Sequence, residues 1–277
     1  MIGLLFVTSV VDDEGLFEEV YGPLEDCIRN TRNTDVCCAC IAALALCCFV
    51  ASSDTASSSA CLALFESVIA KENADPDTRA AAFEAWTLIA TTITDKGTIL
   101  HAYESTMHPH ILASLASDNM DLCLAAGGTL AFLVETLGDS TNDAVMDMNG
   151  LDDAIELLHG LVSSSSKHRA KKERSRQRSA FRDILRGIEE GEPPNETAKF
   201  KRDVLNINSW ATVRQMEAMR DCLGEGLHIH FNANPIVREI FDLPPVRFGG
   251  GGGSDDVTKM TGLEKAKKKI FFLKSEK

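Results

Sequence analysis

The sequence predicts an all-α protein: a HEAT/armadillo-like helical solenoid, followed by a small C-terminal helical module and a basic tail. Apolar positions recur with a period of about 42 residues, each period holds a pair of helical segments, and the composition changes abruptly after residue 162. Helix pairs that repeat every ~40–47 residues are typical of HEAT and armadillo proteins. A globular helical bundle is the alternative.

The repeat is visible in three segments that share one apolar register, 34–51, 76–93 and 118–135. One leucine position of this register recurs in all three, as Leu46, Leu88 and Leu130. Second helices are predicted at 16–30, 57–73 and 97–117, and 144–162 begins a further unit. Pro23 should kink the first of these or mark its start, and Pro109 should break the third. The same offset aligns Leu4 with Leu46, so either upstream repeats are missing from the sequence or the first helix is exposed and atypical.

The charge is divided between the two parts of the chain. Residues 1–166 carry 5 Lys and Arg against 25 Asp and Glu, whereas residues 167–277 carry 23 against 16. An acidic body is repelled by nucleic acid and a basic part is attracted to it. We therefore divide the chain into a solenoid (1–162), a basic linker or helix start (163–178), a C-terminal helical domain (179–245) and a glycine-rich tether with a basic helix (246–277).

Two basic segments are candidate RNA-binding sites. The first lies at the junction and consists of Lys167, Arg169, Lys171, Lys172, Arg174, Arg176 and Arg178. The second lies in the tail and consists of Lys259, Lys265, Lys267, Lys268, Lys269 and Lys274. The junction could equally be a solvated helix face or a nuclear address. The tail could be a charged segment without fixed structure, or a helix that orders on a polyanion and is anchored by Ile270, Phe271 and Phe272.

The C-terminal module is predicted to contain four short helices docked on the last repeat. An apolar helical stripe begins at Phe181, and Gly191 ends that helix. Asn195 is expected to cap a second helix running through Phe200 to Leu205. Asn208 or Ser209 caps a third, and 234–243 forms the last. Phe181, Trp210 and Phe241 are the predicted structural residues.

Catalysis and metal binding are not expected. The nine cysteines form an odd count with adjacent pairs, which is typical of a reducing compartment and of cysteine as a small core residue. The Cys37–Cys40 spacing lies in an alanine-rich helix, and Cys222, His228 and His230 lack an evident fourth ligand. No nucleophile arrangement, phosphate loop or dinucleotide fingerprint is present. We expect no enzyme activity, cofactor, metal or small-molecule substrate. Because no run approaches about 18 apolar residues, we expect no membrane partner either.

The residues from Phe181 onward resemble the C-terminal domain of the interferon-related developmental regulator family. The resemblance is carried by FRDILRGIEEGEPPNETAKFKRDVLNINSW (181–210) and GEGLHIHFNANPIVREIFDL (224–243). The repeats resemble that family's helical-repeat domain more loosely, notably in ALALCCFVA (43–51) and CLALFESVIA (61–70). Two departures are the absence of N-terminal repeats and a shorter basic tail interrupted by glycines.

This resemblance implies a ribosome-binding translational repressor or dormancy factor. Some members of that family bind ribosomes that carry no mRNA and fill the tRNA and mRNA paths. The expected partners are therefore rRNA and ribosomal proteins, with tRNA as a neighbour, in the cytoplasm. The alternative, also attributed to the family, is a transcriptional co-regulator whose solenoid binds nuclear proteins. A generic adaptor is a third possibility.

Overall fold

The computed structural model describes residues 2–9, 14–51, 55–138, 148–163, 171–201 and 203–245, with the backbone alone at 9, 14 and 171–174. The described elements of the first part are helices: α1 (Ile2–Ser9), α2 (Glu14–Asn30), α3 (Thr34–Ala51), α4 (Thr55–Ile69), α5 (Pro76–Ala90), α6 (Lys96–Ala102), a π-helical turn (Tyr103–Met107), α7 (His108–Leu115), α8 (Met120–Leu137), α9 (Leu151–Ser163) and α10 (Lys171–Glu189). The second part contains β1 (Glu196–Lys199), β2 (Val204–Ile207), α11 (Trp210–Leu223), a 3-10 turn (Gly224–Gly226), α12 (Leu227–Ala233) and α13 (Pro235–Ile240).

The fold is the predicted all-α solenoid. Two layers of helices build the solenoid. The inner layer consists of α1, α3, α5, α8 and α10, which pack side by side. A second layer, made of α2, α4, α6–α7 and α9, covers them. Residues that lie 42 positions apart in the sequence are in direct contact in the structure. The hydroxyls of Thr87 and Thr129, 42 residues apart, hydrogen-bond at 2.8 Å, and Asn119 Nδ2 donates to Asp77 Oδ1 at 2.9 Å over the same separation. Equivalent residues of successive repeats therefore meet, which confirms the repeat.

The helix starts follow the expected chemistry, and the prolines are accommodated within the helical layer. Asn119 caps α8 by accepting from Leu122 N at 2.9 Å, and Pro76 occupies the first turn of α5. Pro109 does not end its segment outright, because the π-helical turn at 103–107 carries the chain directly into α7. A π turn is a known means of absorbing an irregular position within a helix. Pro23 lies inside α2.

Two helices of the inner layer, α3 and α8, are long and apolar enough to cross a bilayer by length and composition. Both are core helices here: α3 packs between α1 and α5, and α8 packs between α5 and α10. Their buried residues belong to one continuous apolar core that runs through the solenoid. Their packing is consistent with this composition, since a helix with neighbours on several sides is apolar on several faces.

The predicted second helix of the C-terminal module is wrong, because residues 196–207 form a β-hairpin. β1 and β2 pair antiparallel, with Lys199 opposite Val204 and Glu196 opposite Ile207. In β2 burial alternates: Val204 and Asn206 are exposed, whereas Leu205 and Ile207 are buried. This period of two is the strand signal that the helical interpretation overlooked. The four-helix description of the module is therefore replaced by a hairpin and three helices.

The module also does not dock on the last repeat alone. Helix α11 lies across the inner layer, where Trp210 N donates to Glu135 of α8 at 2.8 Å and Gln215 donates to Thr91 beside α5 at 2.9 Å. The far end of the module reaches α1, because Asn234 Nδ2, at the start of α13, donates to the Val7 carbonyl at 2.8 Å. The reason is apolar area: the module's own core is completed by residues of α1 and α3. Ser209 caps α11 and Gly224 (φ 49°) ends it, as predicted.

Helix α10 runs through the boundary predicted at 178/179. Its apolar stripe from Phe181 to Ile188 is buried in the solenoid core against α8 and α9. Gly127 of α8 faces this stripe, and a Cβ at Gly127 would lie 3.2 Å from Ile184 Cδ1. Gly191 (φ 65°) then reverses the chain, with Glu192 N donating to the Arg186 carbonyl at 3.4 Å. Helix α10 is thus the inner helix of the last described repeat.

Candidate polyanion-binding surface

The basic junction is placed on the first turns of α10. The described side chains there, from residue 175 to 180, are all exposed or half-buried, and the first buried side chain is Phe181. The sequence produces this division because charged residues give way to the apolar stripe at residue 181. The apolar half anchors the helix in the solenoid, so the basic half is held at its surface.

The structure locates only some of the predicted RNA-binding residues. Arg176 is exposed and Arg178 is half-buried on α10. Lys171, Lys172 and Arg174 lie in the same helix, where the backbone alone is described. The remaining predicted binding residues lie outside the described residues: Lys167, Arg169, Lys259, Lys265, Lys267, Lys268, Lys269 and Lys274, together with the tail anchors Ile270, Phe271 and Phe272.

Two further arginines on α10 extend this surface and were missed by the sequence reasoning. Arg182 and Arg186 are exposed, and with Arg178 they form a series spaced by four residues, which we call the arginine stripe. Side chains four apart are neighbours on one helix face. Among the described residues, Arg186 forms long ion pairs, 3.8 Å to Asp183 and 3.8 Å to Glu192. Like charges at this spacing repel each other, so a polyanion laid along the stripe would relieve that repulsion. The four-residue spacing was the available signal.

A groove of about 940 Å³ lies between α10 and the C-terminal module, and Arg186 is the member of the arginine stripe that lines it. Arg176 and Arg186 line one wall, and the Pro193–Pro194 segment and α11 line the other. On α11, Arg214 approaches three carboxylates: Glu217 at 3.4 Å, Glu84 at 3.5 Å and Asp221 at 3.8 Å. Burial raises the pKa of Glu84 and Glu217, and the Arg214 charge opposes that shift. The α11 side of the groove is therefore occupied by ion pairs, of which the Arg214–Glu84 pair joins α11 to α5.

A second exposed surface lies at the turn of the hairpin. Lys199 and Lys201 are exposed there, and Lys201 N donates to Asn232 of α12 at 3.1 Å. The same region exposes Val204 (54%) and Ile229 (70%). Beneath it, Phe200 stacks on Phe231 with ring centroids 4.1 Å apart. This basic and apolar surface was missed because the strand was read as a helix.

The predicted structural residues each lie at a junction between elements. Phe181 is buried in the solenoid core, and Phe241 is buried in the core of the C-terminal module. Trp210 is half-buried between them. A Cβ on Gly187 of α10 would lie 2.6 Å from Trp210 Nε1, so only glycine permits this approach of indole and helix.

The cysteines are buried or half-buried in this arrangement, and none of the nine is in a disulfide. Cys37, Cys47 and Cys48 are among the buried ones. Burial raises the pKa of Cys47 to about 12, which keeps this thiol protonated at neutral pH. Within the described ranges, no group of three His, Cys, Asp or Glu side chains is placed to hold a metal ion.

The fold and this surface define a class of protein: an α-solenoid with a C-terminal module folded back along its repeats and an arginine-bearing helix at its edge. The model of the interferon-related developmental regulator family matches residues 1–189, from α1 to the end of α10. The chain belongs to that family.

Named relatives agree with the family model. The chain is 36% identical over 220 residues to interferon-related developmental regulator 2 of Mus musculus, covering 75% of this chain and 49% of the relative. It is 31% identical over 221 residues to interferon-related developmental regulator 1 of Homo sapiens, covering 75% and 48%. An uncharacterised protein of Schizosaccharomyces pombe is 26% identical over 175 residues, covering 57% and 38%. The chain thus spans about half the length of the first two relatives.

Proposed function

We propose that this protein binds ribosomes and represses translation by occupying the tRNA and mRNA paths of ribosomes that carry no mRNA. The observation that supports this most is the arginine stripe, placed on a helix whose apolar residues anchor it at the edge of an acidic solenoid. The block is steric, so it needs a shaped, charged surface and no chemistry on the RNA.

The charge distribution suits a partner made of both RNA and basic protein. Residues 1–166 have 20 more acidic than basic side chains, so the solenoid favours contact with basic ribosomal proteins. The arginine stripe and the lysines of 259–274 would neutralise rRNA phosphates, and each such contact releases counterions. Helix α10 has 19 residues and is therefore about 28 Å long. Such a helix can lie along an RNA groove, while a tethered basic tail can enter a narrower channel.

The test is sedimentation of the full chain with ribosomes through sucrose gradients at low and high salt, with and without mRNA. We expect binding that is strongest without mRNA and that falls as salt rises. Charge reversal at Lys265, Lys267, Lys268 and Lys269 should weaken it. Replacing the stripe residues Arg178, Arg182 and Arg186 with glutamine should also weaken it, because glutamine keeps helix propensity while removing charge.

A matched control removes the same number of exposed cations from the solenoid, by glutamine at Arg32, Lys71 and Lys96. This control should leave sedimentation unchanged. Equal losses in the control and the stripe variant would mean that net charge alone acts. Absence of wild-type binding to ribosomes, with accumulation in the nucleus, would instead favour the co-regulator alternative.

A further inference from the structure

We propose that Ser179 is a phosphorylation site for an arginine-directed serine/threonine kinase, and that the phosphate neutralises the arginine stripe. The modification stands independently of ribosome binding. Its regulatory consequence rests on the proposed function.

The first support is the local charge pattern. Arg174 lies five residues before Ser179 and Arg176 lies three before it. Kinases that select basic peptides read such positions with carboxylates in their substrate groove, since paired carboxylate–guanidinium contacts are strong and specific. Ser175 on the same helix is a natural comparison. It has Lys172 three residues before it and Ala170 five residues before it, so it lacks both arginines.

The second support is access. Ser179 is exposed, and no side chain described between 175 and 180 is buried. A kinase needs its substrate in an extended conformation, so these turns must unwind briefly. Unwinding them would break helical hydrogen bonds but would release no buried side chain among the described residues 175–180. Segments with few buried contacts open most readily, and a helix of about ten residues is marginal without packing.

The third support is the electrostatic consequence. The kinase transfers the γ-phosphoryl group of ATP to Ser179 Oγ. The bond to ADP breaks, and the hydroxyl proton passes to the kinase's catalytic carboxylate. Phosphoserine carries about −1.5 to −2 charges. Residues 171–186 contain seven basic and two acidic side chains, so one phosphate removes a large share of their net charge.

The position of the phosphate adds specificity to this effect. Arg176 lies three residues before Ser179 and Arg182 lies three after it, so both share its helix face. A phosphate at Ser179 can therefore pair with stripe and junction arginines within the helix. Guanidinium groups that are engaged in this way are withdrawn from any external polyanion.

The experiment uses the full chain, ATP and an arginine-directed kinase such as protein kinase B. We expect one phosphate per molecule by intact mass, located at Ser179 by peptide mapping. Ser179→Ala should abolish incorporation, and Ser175→Ala should leave it unchanged. Both variants are expected to fold, because alanine is a better helix former than serine. Incorporation at Ser175, or none at all, would overturn the site.

The consequence is measured first on a heparin column, which needs no ribosome. Phosphorylated protein should elute at lower salt than unmodified protein, and Ser179→Ala treated with kinase should not shift. On ribosomes, the slope of log affinity against log salt should fall by about 1.5, as expected for the loss of about two phosphate contacts. If phosphorylation shifts elution from heparin but the unmodified protein does not bind ribosomes, the proposed function is wrong and the phosphorylation proposal stands. If full phosphorylation does not shift elution from heparin, the proposed neutralisation of the arginine stripe is wrong.

Discussion

Replacing Gly187 with alanine should destabilise the protein, although alanine normally favours a helix. Gly187 lies in α10, and a Cβ there would be 2.6 Å from Trp210 Nε1, 3.1 Å from Cε2 and 3.2 Å from Cζ2. The indole is rigid and Trp210 N is tied to Glu135 at 2.8 Å, so the ring cannot yield without moving the start of α11. Overpacking of this kind costs about 1–3 kcal/mol.

The matched control is Gly128→Ala in the middle of α8, where a Cβ would meet nothing within 4 Å. Helix propensity alone should make this variant about 1 kcal/mol more stable. Gly187 lies near the end of its helix, so its propensity gain is smaller and the clash dominates. The two variants should therefore differ by about 2–3 kcal/mol in the free energy of unfolding.

Urea denaturation followed by circular dichroism measures both values. A double-mutant cycle with Trp210→Phe identifies the partner, because the cost of Gly187→Ala should shrink when the larger indole is absent. If Gly187→Ala is as stable as Gly128→Ala, then α10 and Trp210 do not meet as described and the docking of α11 must be revised.

Three further predictions concern the C-terminal module and the buried phenol. Arg238→Met should destabilise the protein by about 3–5 kcal/mol in urea denaturation. The substitution leaves Asp203 and the Phe231 carbonyl, which lie 2.9 and 2.7 Å from the guanidinium, without their partner. The control Arg220→Met, at an exposed site, should have little effect. Leu205→Ala should cost about 2–5 kcal/mol and Val204→Ala much less by the same assay, and equal costs would contradict the hairpin register. Burial raises the pKa of Tyr103 to about 12 and also raises the pKa of Tyr21, so spectrophotometric titration of Tyr21→Phe should show one phenol ionising near pH 12. Because this folded-state pKa lies above the unfolded value, the stability contributed by neutral Tyr103 should be present below pH 10 and lost as the pH rises towards 12. Ionisation of Tyr103 near pH 10 in the folded protein would contradict its burial.

Much of the solenoid could be predicted because its signals are local and repeated. Leu46, Leu88 and Leu130 recur at the interval at which neighbouring helices touch, so one offset contains both the helix pattern and the stacking geometry. Caps such as Asn119 and Ser209 act within one turn and can be identified from a few residues. The hairpin was missed because each strand has four residues, which is too short for alternation to outweigh a plausible cap at Asn195.

The path of α11 could not be predicted because it depends on distant residues. Its docking uses Glu135 and Thr91, which lie 75 and 124 residues from their partners. The nearby contact of Asn234 with Val7 spans 227 residues, and none of these residues carries a local mark. The arginine stripe lies between these cases. Its spacing is present in the sequence, but its exposure depends on the burial of Phe181 below it, which only the packed helix layer reveals.

The course of α11 across α8, α5 and α1 has a consequence for the mechanics of the protein. An ordinary solenoid behaves like a spring, because each repeat contacts only its neighbours and can bend or melt independently. Here one helix joins repeats that are remote in sequence, so stretching the coil would also break the contacts of α11. The molecule should therefore be mechanically stiff and should unfold in one cooperative step. A surface of fixed curvature can occupy a cavity of fixed shape without deforming to fit it.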